Sequence, residues 1–201
     1  MSSLKEIFLS HKGRSSHRFI HGMEIYDEYF SQYRDKEVTI VEVGVAQGGG
    51  LQIWKKYFGS KAKVYGIDVN ESFLFKEEQI EIFIGNQKNR SFLKEVFNKI
   101  GSVDILIDDG EHEPNGQIAT FEESIPYIKE GGLYVCEDLH NAYHPDYINN
   151  SFMDYLKNKI DFINIKSGDY SIHFYTGIVI IKKDMKNRTL ISPVLVGEIS
   201  K

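Results

Sequence analysis

Hydrophobic positions along this chain change period in an orderly way. Phe19, Ile20, Met23, Tyr26, Tyr29 and Phe30 recur three or four residues apart, which predicts a helix within an N-terminal segment, residues 1–36. Val38-Thr39-Ile40-Val41-Glu42-Val43 is then nearly continuous and β-branched, as a strand buried on both faces requires. Glycines follow at Gly44, Gly48, Gly49 and Gly50, and 51–58 reads as a helix. Lys63-Val64-Tyr65-Gly66-Ile67-Asp68 and Glu81-Ile82-Phe83-Ile84 are two more strands. Residues 91–100 place Phe92, Leu93, Val96, Phe97 and Ile100 on one helical face. Val103-Asp104-Ile105-Leu106-Ile107 is a further strand, running into Asp108-Asp109-Gly110. A helix is expected over 118–129, stopped by Gly131-Gly132, before Leu133-Tyr134-Val135-Cys136 leads to Glu137-Asp138.

Strands that alternate with helices predict an α/β, Rossmann-like, mainly parallel doubly wound sheet over residues 37–201. Near the end, Asp161-Phe162-Ile163-Asn164-Ile165 and Gly177-Ile178-Val179-Ile180-Ile181 are expected to pair as an antiparallel hairpin at one edge. The acids Glu42, Asp68, Asp108, Asp109, Glu137 and Asp138 all fall at predicted strand ends. Doubly wound sheets bind ligands beyond those ends, so one crevice can collect all six.

Composition narrows the function. The 201 residues carry a net charge of -5, which offers no electrostatic footprint for nucleic acid or an anionic membrane. The single cysteine, Cys136, excludes an internal disulfide and a cysteine zinc site, and suits a reducing compartment. No apolar run is long enough to span a bilayer, and the start lacks the apolar core of a signal peptide. A cytoplasmic enzyme of small molecules is the resulting expectation, with a homo-oligomer left open.

The turn after the first strand, Gly44-Val45-Ala46-Gln47-Gly48-Gly49-Gly50, lets a ligand approach the backbone closely. Ala46 breaks the dinucleotide pattern G-x-G-x-x-G, and Glu42 would repel a phosphate. An acid there suits a cationic ligand instead, such as the sulfonium and ammonium of S-adenosylmethionine. Asp68 can accept hydrogen bonds from both hydroxyls of a ribose. The bland alternative is a tight strand–helix turn with ordinary caps.

At this point the chain resembles the metal-dependent sugar O-methyltransferases of antibiotic pathways, the group that includes the mycinamicin and rhamnosyl-tetracenomycin methyltransferases. The matching segments run in order from about residue 38 to 144. They are Glu42 to Gly49, Leu51 through Trp54, Gly66-Ile67-Asp68, Gly85-Asn86-Gln87, Ile107-Asp108-Asp109-Gly110-Glu111-His112, and Gly131 through Leu139. Lys12-Gly13 with His17 adds a weaker N-terminal match. The resemblance implies a methyltransferase fold, S-adenosylmethionine as donor, and transfer to a sugar hydroxyl. It implies Mg2+ on Asp109, Glu137 and Asp138, with His112 as general base and Asp109 in the catalytic centre. Cofactor contacts are expected from Glu42, Gly44, Gly48, Asp68, Gln87 and Asp108. Glu111, Asn86 and Gly50 depart from the family's serine, aspartate and serine.

The chemistry suits those residue types. Carboxylates are ligands for a hard cation that keeps open positions, and two oxygens of a vicinal diol can fill these. A metal lowers the pKa of a bound hydroxyl, and a histidine accepts its proton near neutrality. Taken singly, Asp-Asp-Gly is an ordinary turn and Glu-Asp an ordinary helix cap. Their occurrence at two strand ends, with His112 beside the first, favours the site. Two other readings stay open: a catechol or phenol acceptor, and a non-catalytic S-adenosylmethionine-binding partner subunit. His140, Tyr143 and His144 are read as loop residues on the acceptor side, Trp54 as core, and His11 and His17 as candidates for a lid.

Overall fold

The computed structural model describes residues 2–147, 150–165 and 170–184, without the side chains of 162, 164 and 165. Seven strands form one sheet in the order β3-β2-β1-β4-β5-β7-β6. They are β1 Val38–Val43, β2 Ala62–Asp68, β3 Ile80–Ile84, β4 Val103–Asp108, β5 Ile128–Cys136, β6 Tyr170–Tyr175 and β7 Ile178–Lys183. The first five run parallel, and β7 and β6 are antiparallel additions beyond β5. Chain order reverses between β1 and β4, which makes their carboxyl ends the switch point where such sheets bind ligands.

Among the described residues six α-helices cover the sheet: α1 Leu4–Leu9, α2 Ile20–Phe30, α3 Gly49–Phe58, α4 Arg90–Ile100, α5 Pro114–Ser124 and α6 Phe152–Ile165. One face carries α1, α2 and α3, where Leu4, Met23, Tyr26, Phe30, Trp54 and Phe58 share a core with Ile40 and Ile105. The other face carries α4, α5 and α6, with Leu93, Phe97, Phe121, Phe152 and Leu156 packed on Val41 and Leu106. Alternate strand residues thus feed two separate cores, which is why the strands read as continuous apolar runs.

Three expectations need correction. The N-terminal segment holds two helices: Ser3 opens α1 with a capping box to Glu6, and Phe19 and Ile20 are exposed at the start of α2. The helix expected over 118–129 spans Pro114–Ser124, with proline in its first turn. Ile125 keeps helical backbone as the C-cap, but Pro126 has no N–H to continue the ladder, and Ile128 already pairs with Val103, so β5 runs straight through Gly131-Gly132. Residues 161–165 are not a strand but the end of α6. The hairpin exists, but Tyr170–Tyr175 supplies its first strand. Residues 185–201 of the predicted 37–201 unit lie outside the described residues.

Candidate active site

The strand ends meet as expected. Gly44 N–H bonds Ile67 O, Asp109 N–H bonds Val43 O and Glu137 N–H bonds Asp108 O, each at 2.9 Å. These bonds carry the ladder one residue past the strands and fix where the acids emerge. Gly44 has φ 90, and a Cβ there would stand 2.0 Å from the Asp109 carbonyl oxygen. Glycine is therefore needed for the two strand ends to approach.

A cleft of about 290 Å³ opens beside this turn, lined by Gly44, Ala46, Asp68, Val69, Asn86, Gln87, Asp109 and Glu111, among others. Asp68 braces its edge: Oδ2 accepts from the N–H of Val45 at 2.8 Å and of Ala46 at 3.1 Å, and Oδ1 from Asn70 N–H at 2.9 Å. A carboxylate has further lone-pair sites, so these bonds leave acceptor capacity facing the cleft. Gln87 forms part of the floor, giving Nε2–H to Asp108 and Thr120 and accepting from Glu111 N–H.

Three predicted cofactor residues do not line the cleft. Asp108 is buried under it, its carboxylate held by Tyr134 O–H at 2.9 Å and by Gln87, and burial pushes its pKa up. Gly48 caps α3 with φ 90, close against Phe75. Glu42 is buried against Gly50, where any side chain would strike its carboxylate.

The acid cluster lies next to the cleft. Asp109, His112 and Asp138 each offer a ligand atom within 4.8 Å of the others. His112 Nε2 is 3.3 Å from Asp138 Oδ2, while its Nδ1 is buried without a partner among the described residues. His112 and Asp138 both adopt left-handed backbone, with φ 58 and 54. Strained backbone and an orphaned buried nitrogen cost stability, and such costs concentrate at functional sites. The two carboxylates fit a hard divalent cation by chemistry and spacing, and the imidazole of His112 stands beside them. Glu137 faces the same cluster but is bonded to a cation of the protein itself.

That cation, Arg18, escaped the sequence reading. Its side chain is 4% exposed and bonds Glu42 Oε1 at 2.6 Å, lies 3.3 Å from Asp109 Oδ2, and bonds Glu137 Oε1. Trp54 N–H closes the other side of Glu42 and takes no part in the clefts. Desolvation alone would lower the Arg18 pKa, but Glu137, Glu42 and Asp109 outweigh it and hold the guanidinium charged. Asp109 is driven well above the carboxylate range by burial and by its acidic neighbours Glu137, Glu42 and Asp138, although Arg18 opposes the shift. One signal was legible: converging buried acids need a counter-cation, and an arginine close to a matched N-terminal segment is a candidate.

Arg18 arrives on a stretch of chain laid over the glycine-rich turn. Gly49 N–H bonds Ser15 O at 3.1 Å, Arg14 N–H bonds Gln52 Oε1 at 2.8 Å, and His11 bonds Arg14 O. A second cavity, about 280 Å³, lies across the acid cluster from the cofactor-sized cleft. Phe19, His21, Tyr26, Glu137, Asp138 and His140 form much of its wall, with Thr176 and Gly177 of the β6–β7 turn. Of the expected loop residues, His140 reaches this cavity, while His144 pairs with Asp146 and Tyr143 is exposed.

Comparison with known proteins bears on this geometry. A model of FtsJ-like methyltransferases matches residues 14–158. An 8-demethyl-8-alpha-L-rhamnosyl tetracenomycin-C 2'-O-methyltransferase of Streptomyces olivaceus is 36% identical over 127 residues, covering 60% of this chain and 33% of the relative. Demethylmacrocin O-methyltransferase of Streptomyces fradiae is 33% identical over 154 residues, covering 73% and 38%. Among solved structures, the MycE methyltransferase of mycinamycin biosynthesis in complex with Mg and SAH superposes with TM-score 0.81 at 26% identity, covering 98% of this chain and 57% of that one. The chain thus spans about a third of the curated relatives and little over half of MycE.

Proposed function

Because the chain belongs to the FtsJ-like methyltransferase family, we propose that it moves a methyl group from S-adenosylmethionine to a hydroxyl of a sugar or glycosylated small molecule, with a divalent cation such as Mg2+. One observation carries the reading: Asp109 lines the cleft at Gly44 and Asp68 and also belongs to the cluster with His112 and Asp138, while Asp138 and the adjoining Glu137 line the second cavity. Donor and acceptor sites so placed meet at the acids. By name, one relative methylates a rhamnosyl tetracenomycin and another demethylmacrocin, and MycE binds Mg with SAH, which supports the same division here.

Asp109 and Asp138 would hold the cation, with Glu137 joining once freed from Arg18. Bound there, the cation would supply Lewis-acid character and make an acceptor hydroxyl easier to deprotonate. His112 Nε2 faces the cluster and takes that proton, oriented by Asp138. Asp68 and the Gly44 turn hold the nucleoside end of the donor, and the rigid strand ends aim the methyl group at the acceptor oxygen. Phe19 and His140 contribute ring faces and edges to the second cavity, a surface suited to the apolar face of a sugar. No described helix is long and apolar enough to cross a membrane. The buried thiol of Cys136 suits a reducing compartment, and we place the enzyme in the cytoplasm.

Methyl transfer should be assayed with a panel of glycosides and catechols, with and without chelator. Turnover on glycosides should vanish in excess EDTA and return with Mg2+, while S-adenosylhomocysteine binding persists. Asp109→Asn should cut turnover more than about 100-fold, beyond the usual loss for an outer-shell partner. Undiminished turnover in EDTA rejects the metal role, and activity on catechols alone rejects the sugar acceptor.

A further inference from the structure

Arg18 satisfies three carboxylates that come from three different strand ends: Glu42 in the last pleat of β1, Asp109 after β4 and Glu137 after β5. Two of these, Asp109 and Glu137, are residues the proposed function assigns to the divalent cation. The third is not: Glu42 is buried away from the second cavity, fixed by Arg18 Nη2 at 2.6 Å and by Trp54. The guanidinium therefore has one permanent anchor and two contacts that a metal would contest. Its plane also lies 5.2 Å from the centre of the Trp54 ring, which supports it on the Glu42 side.

We infer that Arg18 is a positioning residue that stands in for the divalent cation: it holds Asp109 and Glu137 together in the metal-free protein, and gives them up when the cation binds while keeping Glu42. This rests on the metal reading above. Three acids crowded into a buried site repel one another, and a fixed positive charge offsets that repulsion before metal arrives. The same charge must oppose an incoming cation, because like charges repel even at a half-buried, partly screened site. Arg18 thus trades metal affinity for a preassembled site. The trade also couples the metal to the segment over the glycine-rich turn, since residues 14 and 15 of that segment bond Gln52 and Gly49.

The test is Mn2+ binding to the full chain, followed by electron paramagnetic resonance, for the parent, R18Q, R18K and K88Q. R18Q should bind Mn2+ about tenfold more tightly than the parent, the scale of removing one nearby charge from a partly screened site. Its melting temperature without metal should fall, and Mn2+ should raise it by more than it raises the parent's. R18K keeps the charge but cannot span Glu42 and Glu137 together, so its affinity should lie between the two. Should R18Q fail to fold, R18K carries the test alone, by binding Mn2+ more tightly than the parent. Lys88 pairs with Glu111 and Glu113 outside the cluster, and K88Q should change affinity by less than about twofold. Equal or weaker Mn2+ binding by both Arg18 variants overturns the inference and leaves the metal reading intact. No binding by the parent or any variant overturns the metal reading and this inference with it.

Discussion

Asp68 performs two tasks with one carboxylate. Its oxygens hold the N–H groups of Val45, Ala46 and Asn70, which shapes the turn, and the same group faces the cleft. Asp68→Ala should weaken S-adenosylhomocysteine binding by roughly 10–100-fold, the equivalent of one hydrogen bond to a charged group at about 1.5–3 kcal/mol. Isothermal titration reads the change, and unaltered affinity would remove the ribose assignment. Asp68 could be picked out because it ends a strand after a glycine turn. Gly44 could be too, although its need for a positive φ appears only when Asp109 is seen across from it. Asp108 and Asp109 are neighbours in the sequence and point opposite ways in the fold. Strand pleating turns one into the core against Tyr134 and the other into the site.

Helix α6 is where local pattern misled. Residues 161–165 read as a strand in isolation, because Phe162, Ile163 and Ile165 are aromatic and β-branched residue types common in strands. In the fold Phe152 and Leu156, one turn apart, are fully buried and continue one helical face, and Ser151 with Asp154 opens it through reciprocal hydrogen bonds. Phe152 packs on Phe121, Tyr134 and Tyr155, which ties α6 to α5 and β5. Phe152→Ala should cost about 3–5 kcal/mol, measurable by urea denaturation. A loss below about 1 kcal/mol would mean that α6 is not part of the core. Helix α5 shows the reverse case. Its proline start and the proline two residues past its end bound it clearly, but glycines at 131 and 132 drew the predicted stop too far along.

At the scale of the molecule, the sequence marks residues 1–36 as a helical segment that packs on the following unit or serves as its lid. Their side chains complete one face of the sheet. Tyr26 stacks on Phe30 with ring centres 5.1 Å apart, both rings meet Trp54 of α3, and Tyr33 O–H bonds Gly131 O. We propose that 1–36 and the rest fold as one unit. Deleting 1–36 should expose Trp54 and Phe58 and abolish the cooperative thermal transition seen by circular dichroism, and a deletion variant that melts like the parent would separate the two. The order of strands and helices, the glycine turn and the acids at strand ends were all legible in the chain, because each depends on short-range periodicity and residue type. Tertiary structure alone decided that Asp108 is buried under the cleft, that Glu42 is sealed off, and that Arg18, 24 residues before Glu42 and 119 before Glu137, would reach three of the acids. Those outcomes depend on strand register and on where an irregular segment crosses the sheet, and neither leaves a periodic trace in the sequence.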